Sequence, residues 1–149
     1  MNLSAQFLLQ IDDASLPYMP EHLVDDMCDL ITFVSRMAPK AMQGLDLGNV
    51  FRLVVKLLSS KYAHTVRNYN LRAKLGDVLH DTYLPSGSDN RSSVPDSVTC
   101  DPNAGGRPFL LSDSSAQETL APSLLLLYGE VEHTGYYEKM THRAHIAAL

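Results

Sequence analysis

Apolar residues recur at three- and four-residue steps along most of this chain, and those steps predict helices. Leu23, Met27, Leu30, Ile31, Val34 and Met37 share one helical face. Pro20 suits the first helical position, where the N–H it lacks has no intrahelical partner. Pro39 ends the helix near Met37, because the residue before a proline avoids helical angles. Asp46 suits the N-cap of a second helix, LGNVFRLVVKLLSSKY. Its apolar face is Val50, Phe51, Val54, Leu57 and Leu58, with Arg52, Lys56 and Lys61 on the wet side. A third helix is predicted from Asn70 to about Asp81, capped by Asn68 or Asn70. Its inward residues are Leu71, Leu75, Val78 and Leu79, and Tyr83-Leu84-Pro85 closes it.

From Pro85 to Ser115 the period vanishes. The segment is rich in Ser, Asp, Gly and Pro, too polar to offset the entropy of ordering it. It reads as a flexible polar insertion, with Phe109-Leu110-Leu111 as the stretch able to dock on the body. Ser115-Ala-Gln-Glu118 fits a capping box that starts another helix, kinked or restarted at Pro122. The run LLLLYGEVE is apolar nearly all round up to Tyr128, so this helix is expected to be the most buried and Leu126→Asp to unfold the domain. Gly135 is expected to stop it in the left-handed conformation. A last helix spans Tyr137 to Leu149, with Tyr137, Met140, Ala144 and Ile146 to Leu149 inward. The chain ends inside that apolar pattern, as a fragment would. No segment alternates at period two for long enough to be a strand. The expected class is all-α: a single domain with helical core at 1–84, the insertion at 85–115 and helical core again at 116–149.

Composition narrows the function classes. Of 149 residues, 45% are apolar, ordinary for a packed domain. Twelve basic against seventeen acidic residues give a net charge of −5, which leaves no basic excess to neutralise phosphates, so no nucleic-acid partner is expected. The longest apolar run, LLLLY, is far short of the roughly twenty residues a bilayer needs, so no membrane partner is expected either. The first residues lack a signal-peptide pattern. Two cysteines, Cys28 and Cys100, make no disulfide framework and favour a reducing compartment.

One stretch concentrates candidate chemistry. EVEHTGYYEKMTHRAH, Glu130 to His145, holds three of the six histidines. Glu130 and His133 stand at i,i+3, and so do His142 and His145, so a metal could be held across a tight corner. Di-metal sites in helix bundles, however, need two Glu-x-x-His motifs and further glutamates, and this chain has one such motif. The simpler reading is a helix corner: His133 favours the negative end of a helix dipole, Gly135 is the stop, and His142 and Arg143 are polar positions. Cys28 reads as a small core residue, and Cys100 has no base placed beside it. GLDLGNV has the wrong spacing for a dinucleotide loop. The acidic face Glu21, Asp25, Asp29 reads as a solvated face. No catalytic, cofactor-binding or metal-ligating residue is assigned, and no cofactor is expected.

Three blocks carry a family resemblance. LPYMPEHLVDDMCDLITFVSRMAPKAM resembles the "LPEH…DD…F…AP" helix in the core of chain-elongating ubiquitin conjugation factors of the E-four type. FRLVVKLLSSKYAHTVRNYNLRAKLGDVL is similar to that family's segment ending in L-x-E-V-L, with Asn68-Tyr69-Asn70-Leu71 in place of Asn-Pro-Tyr-Leu. LAPSLLLLYGEVEHTGYYEKMTHRAHIAAL resembles its "Y-x-D-V-E-x-T-G…F-Y-D-K-F" segment and is the most specific of the three. The resemblance implies antiparallel helix pairs forming part of an armadillo-like solenoid, truncated at both ends and without the U-box. It implies a role as scaffold in a ubiquitin–ubiquitin ligase acting in protein degradation, in cytoplasm and nucleus. The partners it implies are a ubiquitin-conjugating enzyme held by the U-box, ubiquitinated substrates and an AAA-type segregase ATPase. The family's activity is ubiquitin–protein transfer, and the resemblance places none of that chemistry on residues of this chain. A generic helical interaction module with no ubiquitin role stands as the alternative.

Overall fold

Six helices of 9 to 17 residues, with short 3₁₀ turns between some of them, make up the regular structure among the described residues. The structure, a computed structural model, describes residues 2–38, 41, 46–63, 65–83 and 112–149. The helices are α1 (Asn2–Gln10), α2 (Glu21–Met37), α3 (Gly48–Leu58), α4 (Tyr69–Tyr83), α5 (Ser114–Glu130) and α6 (Tyr136–Ala148). Almost all of the 85–115 segment, with Phe109, Leu110, Leu111 and Cys100, lies outside the described residues.

Alternate helices pack on one another. α1 lies on α3 and α3 on α5; α2 lies on α4 and α4 on α6. The two rows meet where α3 touches α4, and α5 touches both α4 and α6. The central position belongs to α3 and α4, and their sequences show why. In α3, Val50, Phe51, Leu53, Val54, Val55, Leu57 and Leu58 are all buried, more than one stripe because the helix has neighbours on several sides. Asp46 sets its start, its Oδ1 accepting from the Gly48 N–H at 3.0 Å. In α4, Leu71, Leu75, Val78 and Leu79 are buried as the periodicity predicts. Asn68 is its cap, with Oδ1 accepting from the N–H groups of Asn70 (3.0 Å) and Leu71 (3.4 Å). Gly76 of α4 faces α5: a Cβ there would meet Leu127 Cδ2 at 3.0 Å. The missing side chain permits the close approach, against a helix-propensity cost of about 1 kcal/mol.

Elsewhere the structure departs from expectation. The first residues form α1, a helix that the apolar spacing does not predict; Ala5 and Leu8 anchor it. Pro20 caps α2 rather than opening it. The buried face of α2 is Val24, Met27, Cys28 and Ile31, whereas Leu23, Leu30 and Met37 are exposed. Of the predicted face, Met27 and Ile31 are buried; apolar residues crowd α2 on two sides, and the spacing alone did not show which side is covered. α5 begins at Ser114, with Asp113 Oδ1 accepting from the Ala116 N–H at 3.2 Å, so Asp113 and not Ser115 is the cap. The helix runs through Pro122.

α5 is not the most buried helix. Leu127 is fully buried, but Leu125 is 77% exposed and Leu126 41%. An all-round apolar run says nothing about how many sides are covered, and α5 sits on the flank of α3 and α4. Gly135 takes φ −59°, ψ 149°, extended and not left-handed, and it caps α6 instead of terminating α5. In α6, Tyr137, Met140, Ala144, Ala147 and Ala148 are exposed, and Ile146 is the buried anchor.

Candidate functional site

The side chains that carry charge meet at the seams between helices. At the α4–α5 seam, Arg72 points into the core and is 1% exposed. Its Nε donates to Glu130 Oε2 at 2.6 Å and its Nη1 to the Leu57 carbonyl at 3.3 Å. One guanidinium thus joins the end of α3, the start of α4 and the end of α5. Around α5 and α6, Glu132 pairs with Lys139 at 3.3 Å and with Arg143, whose guanidinium lies 4.9 Å from the Tyr128 ring centre.

At the α4–α6 seam, one carboxylate meets two imidazoles. His145 Nδ1 lies 2.7 Å from Asp77 Oδ1, and His142 Nδ1 lies 2.9 Å from Asp77 Oδ2. The second contact is poorly aligned for a hydrogen bond, so it acts as a charge contact. His142 and His145 stand at i,i+3, which puts both on the face of α6 turned to α4. The His145 ring stacks on His80 with centroids 4.2 Å apart and planes 10° from parallel. His80 Nδ1 lies 3.0 Å from Asp81 Oδ1, and Arg36 of α2 donates to Asp81 Oδ2 from Nε at 3.0 Å. The polar network therefore runs from α6 through α4 to α2.

Burial pushes the Asp77 carboxyl up, but its contacts with His142 and His145 outweigh it and hold it below its ordinary 3.8. The adjacent Asp77 carboxylate raises His142 above its ordinary 6.5 against the opposing effect of burial. A lowered carboxyl stabilises the fold above its unfolded pKa and loses that as pH falls; a raised imidazole stabilises it below its unfolded pKa and loses that as pH rises. The Asp77 clasp is thus strongest between roughly pH 4 and 6.5. Thermal melts of wild type and Asp77→Asn should differ most in that window and converge above neutrality. A gap that instead widens steadily toward alkaline pH would refute the clasp.

Two further seams are tied by lysines. Lys74 Nζ of α4 reaches Asp25 Oδ1 at 2.6 Å and Asp29 Oδ1 at 2.9 Å on α2. Burial lowers the Lys74 pKa, and the two carboxylates more than reverse that. Asp25 and Asp29 of the acidic face are therefore engaged within the chain. Asp13 receives Lys61 Nζ at 2.8 Å and the Tyr62 hydroxyl at 2.7 Å, and these hold its carboxyl at about 2.

The sequence-predicted metal quartet does not converge. Glu130 is taken by Arg72, His133 stacks near the Tyr69 ring at 4.8 Å, and His142 and His145 turn to Asp77. The corner itself is as read: α5 ends at Glu130, a 3₁₀ turn covers Val131–His133, and α6 follows Gly135. Cys28 is buried, and burial first, then the Asp25 charge, pushes its thiol up to about 12. A thiol so placed is protonated and inert at neutral pH. Sequence reasoning missed Arg72, Lys74, Asp77, His80 and Asp81. A signal existed for Arg72, a charge inside the inward stripe Leu71, Leu75, Val78, Leu79. Asp77 shares α4 with those residues but finds its partners 65 or more positions away.

Among the described residues no helix is long and apolar enough to cross a membrane. The fold and seams define a helical packing unit whose charged groups tie helix to helix. The family model described as the ubiquitin elongating factor core matches residues 5–149, and the chain belongs to that family. It is 36% identical over 135 residues to a protein of Arabidopsis thaliana named "Probable ubiquitin conjugation factor E4". The match covers 88% of this chain and 12% of that relative. No solved structure matches the chain significantly.

Proposed function

We propose that this chain is a structural segment of a ubiquitin chain-elongating ligase acting in ubiquitin-dependent degradation, and that it contributes architecture and no covalent chemistry. The observation that carries the reading is the family match along residues 5–149. The seams support it, since Arg72, Lys74 and Asp77 are each occupied in joining helices. The one cysteine among the described residues is buried and protonated.

The unit extends an armadillo-like solenoid of antiparallel helix pairs. Support comes from the two-row packing, α1 on α3 on α5 and α2 on α4 on α6. Support comes too from apolar faces on the outer helices. Leu3, Phe7, Leu23 and Leu30 rim a groove of about 580 Å³ between α1 and α2, and Leu125, Leu126 and Tyr128 lie bare on α5. The chain spans about an eighth of its Arabidopsis relative, and in a polypeptide of that length neighbouring helix pairs cover such faces. Residues 1–84 and 116–149 form one domain with 85–115 inserted, consistent with the packing of α3 on α5 and α4 on α6 across the insertion.

In the longer protein a U-box holds the charged ubiquitin-conjugating enzyme. The solenoid holds ubiquitinated substrate and an AAA-type segregase nearby, in cytoplasm and nucleus. Acceleration comes from proximity, which in well-oriented systems is worth several kcal/mol. The test is a chimera in which this chain replaces the matching segment of the Arabidopsis relative. Ubiquitin chains should lengthen at a rate within about threefold of the parent, a change of less than 1 kcal/mol in the barrier. A folded chimera that forms no chains would refute the reading and favour a helical module with no ubiquitin role.

A further inference from the structure

The geometry points to a divalent transition-metal site, of the kind zinc occupies, formed by His80, Asp81 and His145 at the α4–α6 seam. One donor atom from each of the three lies within 4.8 Å of the others, the one such grouping among the described residues. His80 Nδ1 and Asp81 Oδ1 already stand 3.0 Å apart. Tetrahedral zinc with bonds of about 2.1 Å brings its donors to about 3.4 Å from one another, so a cation replacing the shared proton needs little movement there.

His145 is prepared in a different way. Its Nδ1 is held by Asp77 at 2.7 Å, which fixes the ring orientation and leaves Nε2 to offer its lone pair. A carboxylate behind a histidine is the usual support for a metal-bound imidazole: it fixes the tautomer and raises the basicity of the ligating nitrogen. The His80 and His145 rings stack face to face, centroids 4.2 Å apart, so both imidazoles stand at the site, and one ring must turn out of the stack for its in-plane lone pair to reach the same cation.

The donor set selects the metal class. Two imidazoles and a carboxylate suit zinc and its first-row neighbours, and a water completes the tetrahedron. The carboxylates of Asp77 and Asp81 supply two negative charges, against the Arg36 guanidinium that shares Asp81. The three ligands come from two helices, so the bound cation pins α6 to α4. This site uses His145 from the sequence-predicted quartet and draws the rest from α4.

The full 149-residue chain, without a histidine tag, is dialysed against zinc chloride at low micromolar free metal and assayed by elemental analysis. One equivalent of zinc is expected. His80→Asn and His145→Asn should each weaken binding by about tenfold or more, and His133→Asn should leave it unchanged. Should a variant fail to fold, wild type alone decides. Bound zinc should shield His80 and His145 from carbethoxylation by diethyl pyrocarbonate, while exposed His22 and His133 still react. Absence of stoichiometric zinc on folded wild type, binding undiminished in folded His80→Asn and His145→Asn, or equal modification with and without zinc would each overturn the assignment.

Discussion

Leu127→Asp is expected to abolish the cooperative thermal melt, while Leu126→Asp, one position earlier, lowers stability by about 1 kcal/mol. Leu127 is fully buried and fills the space that Gly76 leaves open on α4. An aspartate there forfeits about 1.5–3 kcal/mol of apolar burial. It also strands an unpaired charge in the core, at several kcal/mol more. Together these consume most or all of the 5–15 kcal/mol that holds a domain of this size. Leu126 is 41% exposed, so its aspartate keeps contact with water. Melts followed by circular dichroism decide the matter, and equal loss at both positions would mean α5 is covered on both sides.

Glu130→Ala is expected to cost about 3–5 kcal/mol, because it leaves the Arg72 guanidinium buried without its carboxylate. The remaining bond to the Leu57 carbonyl satisfies Nη1, and Arg72 Nη2 has no partner among the described residues. Glu130 itself is 19% exposed on its side chain, so the energetic burden falls on the arginine, at 1%. The double variant Arg72→Met, Glu130→Leu should recover most of that loss, since replacing both ions by apolar side chains removes the desolvation penalty along with the pair. Denaturant titrations of the two single variants and the double one complete the cycle. A Glu130→Ala variant within 1 kcal/mol of wild type would mean that Arg72 finds water.

How far the sequence foretold this depended on the range of the interaction. Helix existence and type were legible wherever a local signal was strong. Asn68 before Leu71 and Asp46 before Gly48 set helix starts that hydrogen bonds bear out. The inward residues of α3 and α4 followed from spacing because those helices are central and nearly every apolar side chain finds cover. On the outer helices the same reasoning succeeded only in part: Met27 and Ile31 are buried, and Leu23, Leu30 and Met37 are not. α2 and α5 carry apolar residues on faces that the described neighbours leave bare, and periodicity does not say which face the rest of the protein covers. The all-α class held; the solenoid built from it is our proposal.

The candidate site was least legible. His142 and His145 drew notice through their spacing, but their carboxylate is Asp77, 65 and 68 positions earlier. Lys74 and Asp25 are likewise 49 positions apart. Such pairings depend on which helices become neighbours, a property of the fold and not of any window of the chain. Resemblance of whole segments carried the family where local chemistry could not.

The proposed role of this segment is architecture that serves ubiquitin transfer, with no covalent step on its own residues. The direct measurement is the initial rate of ubiquitin chain elongation by the Arabidopsis chimera after Cys28 and Cys100 of this chain are both changed to alanine. An unchanged rate, with no thiol-sensitive ubiquitin adduct on the segment before or after the change, is the predicted result. Loss of elongation in a chimera that keeps its helical melt would contradict it.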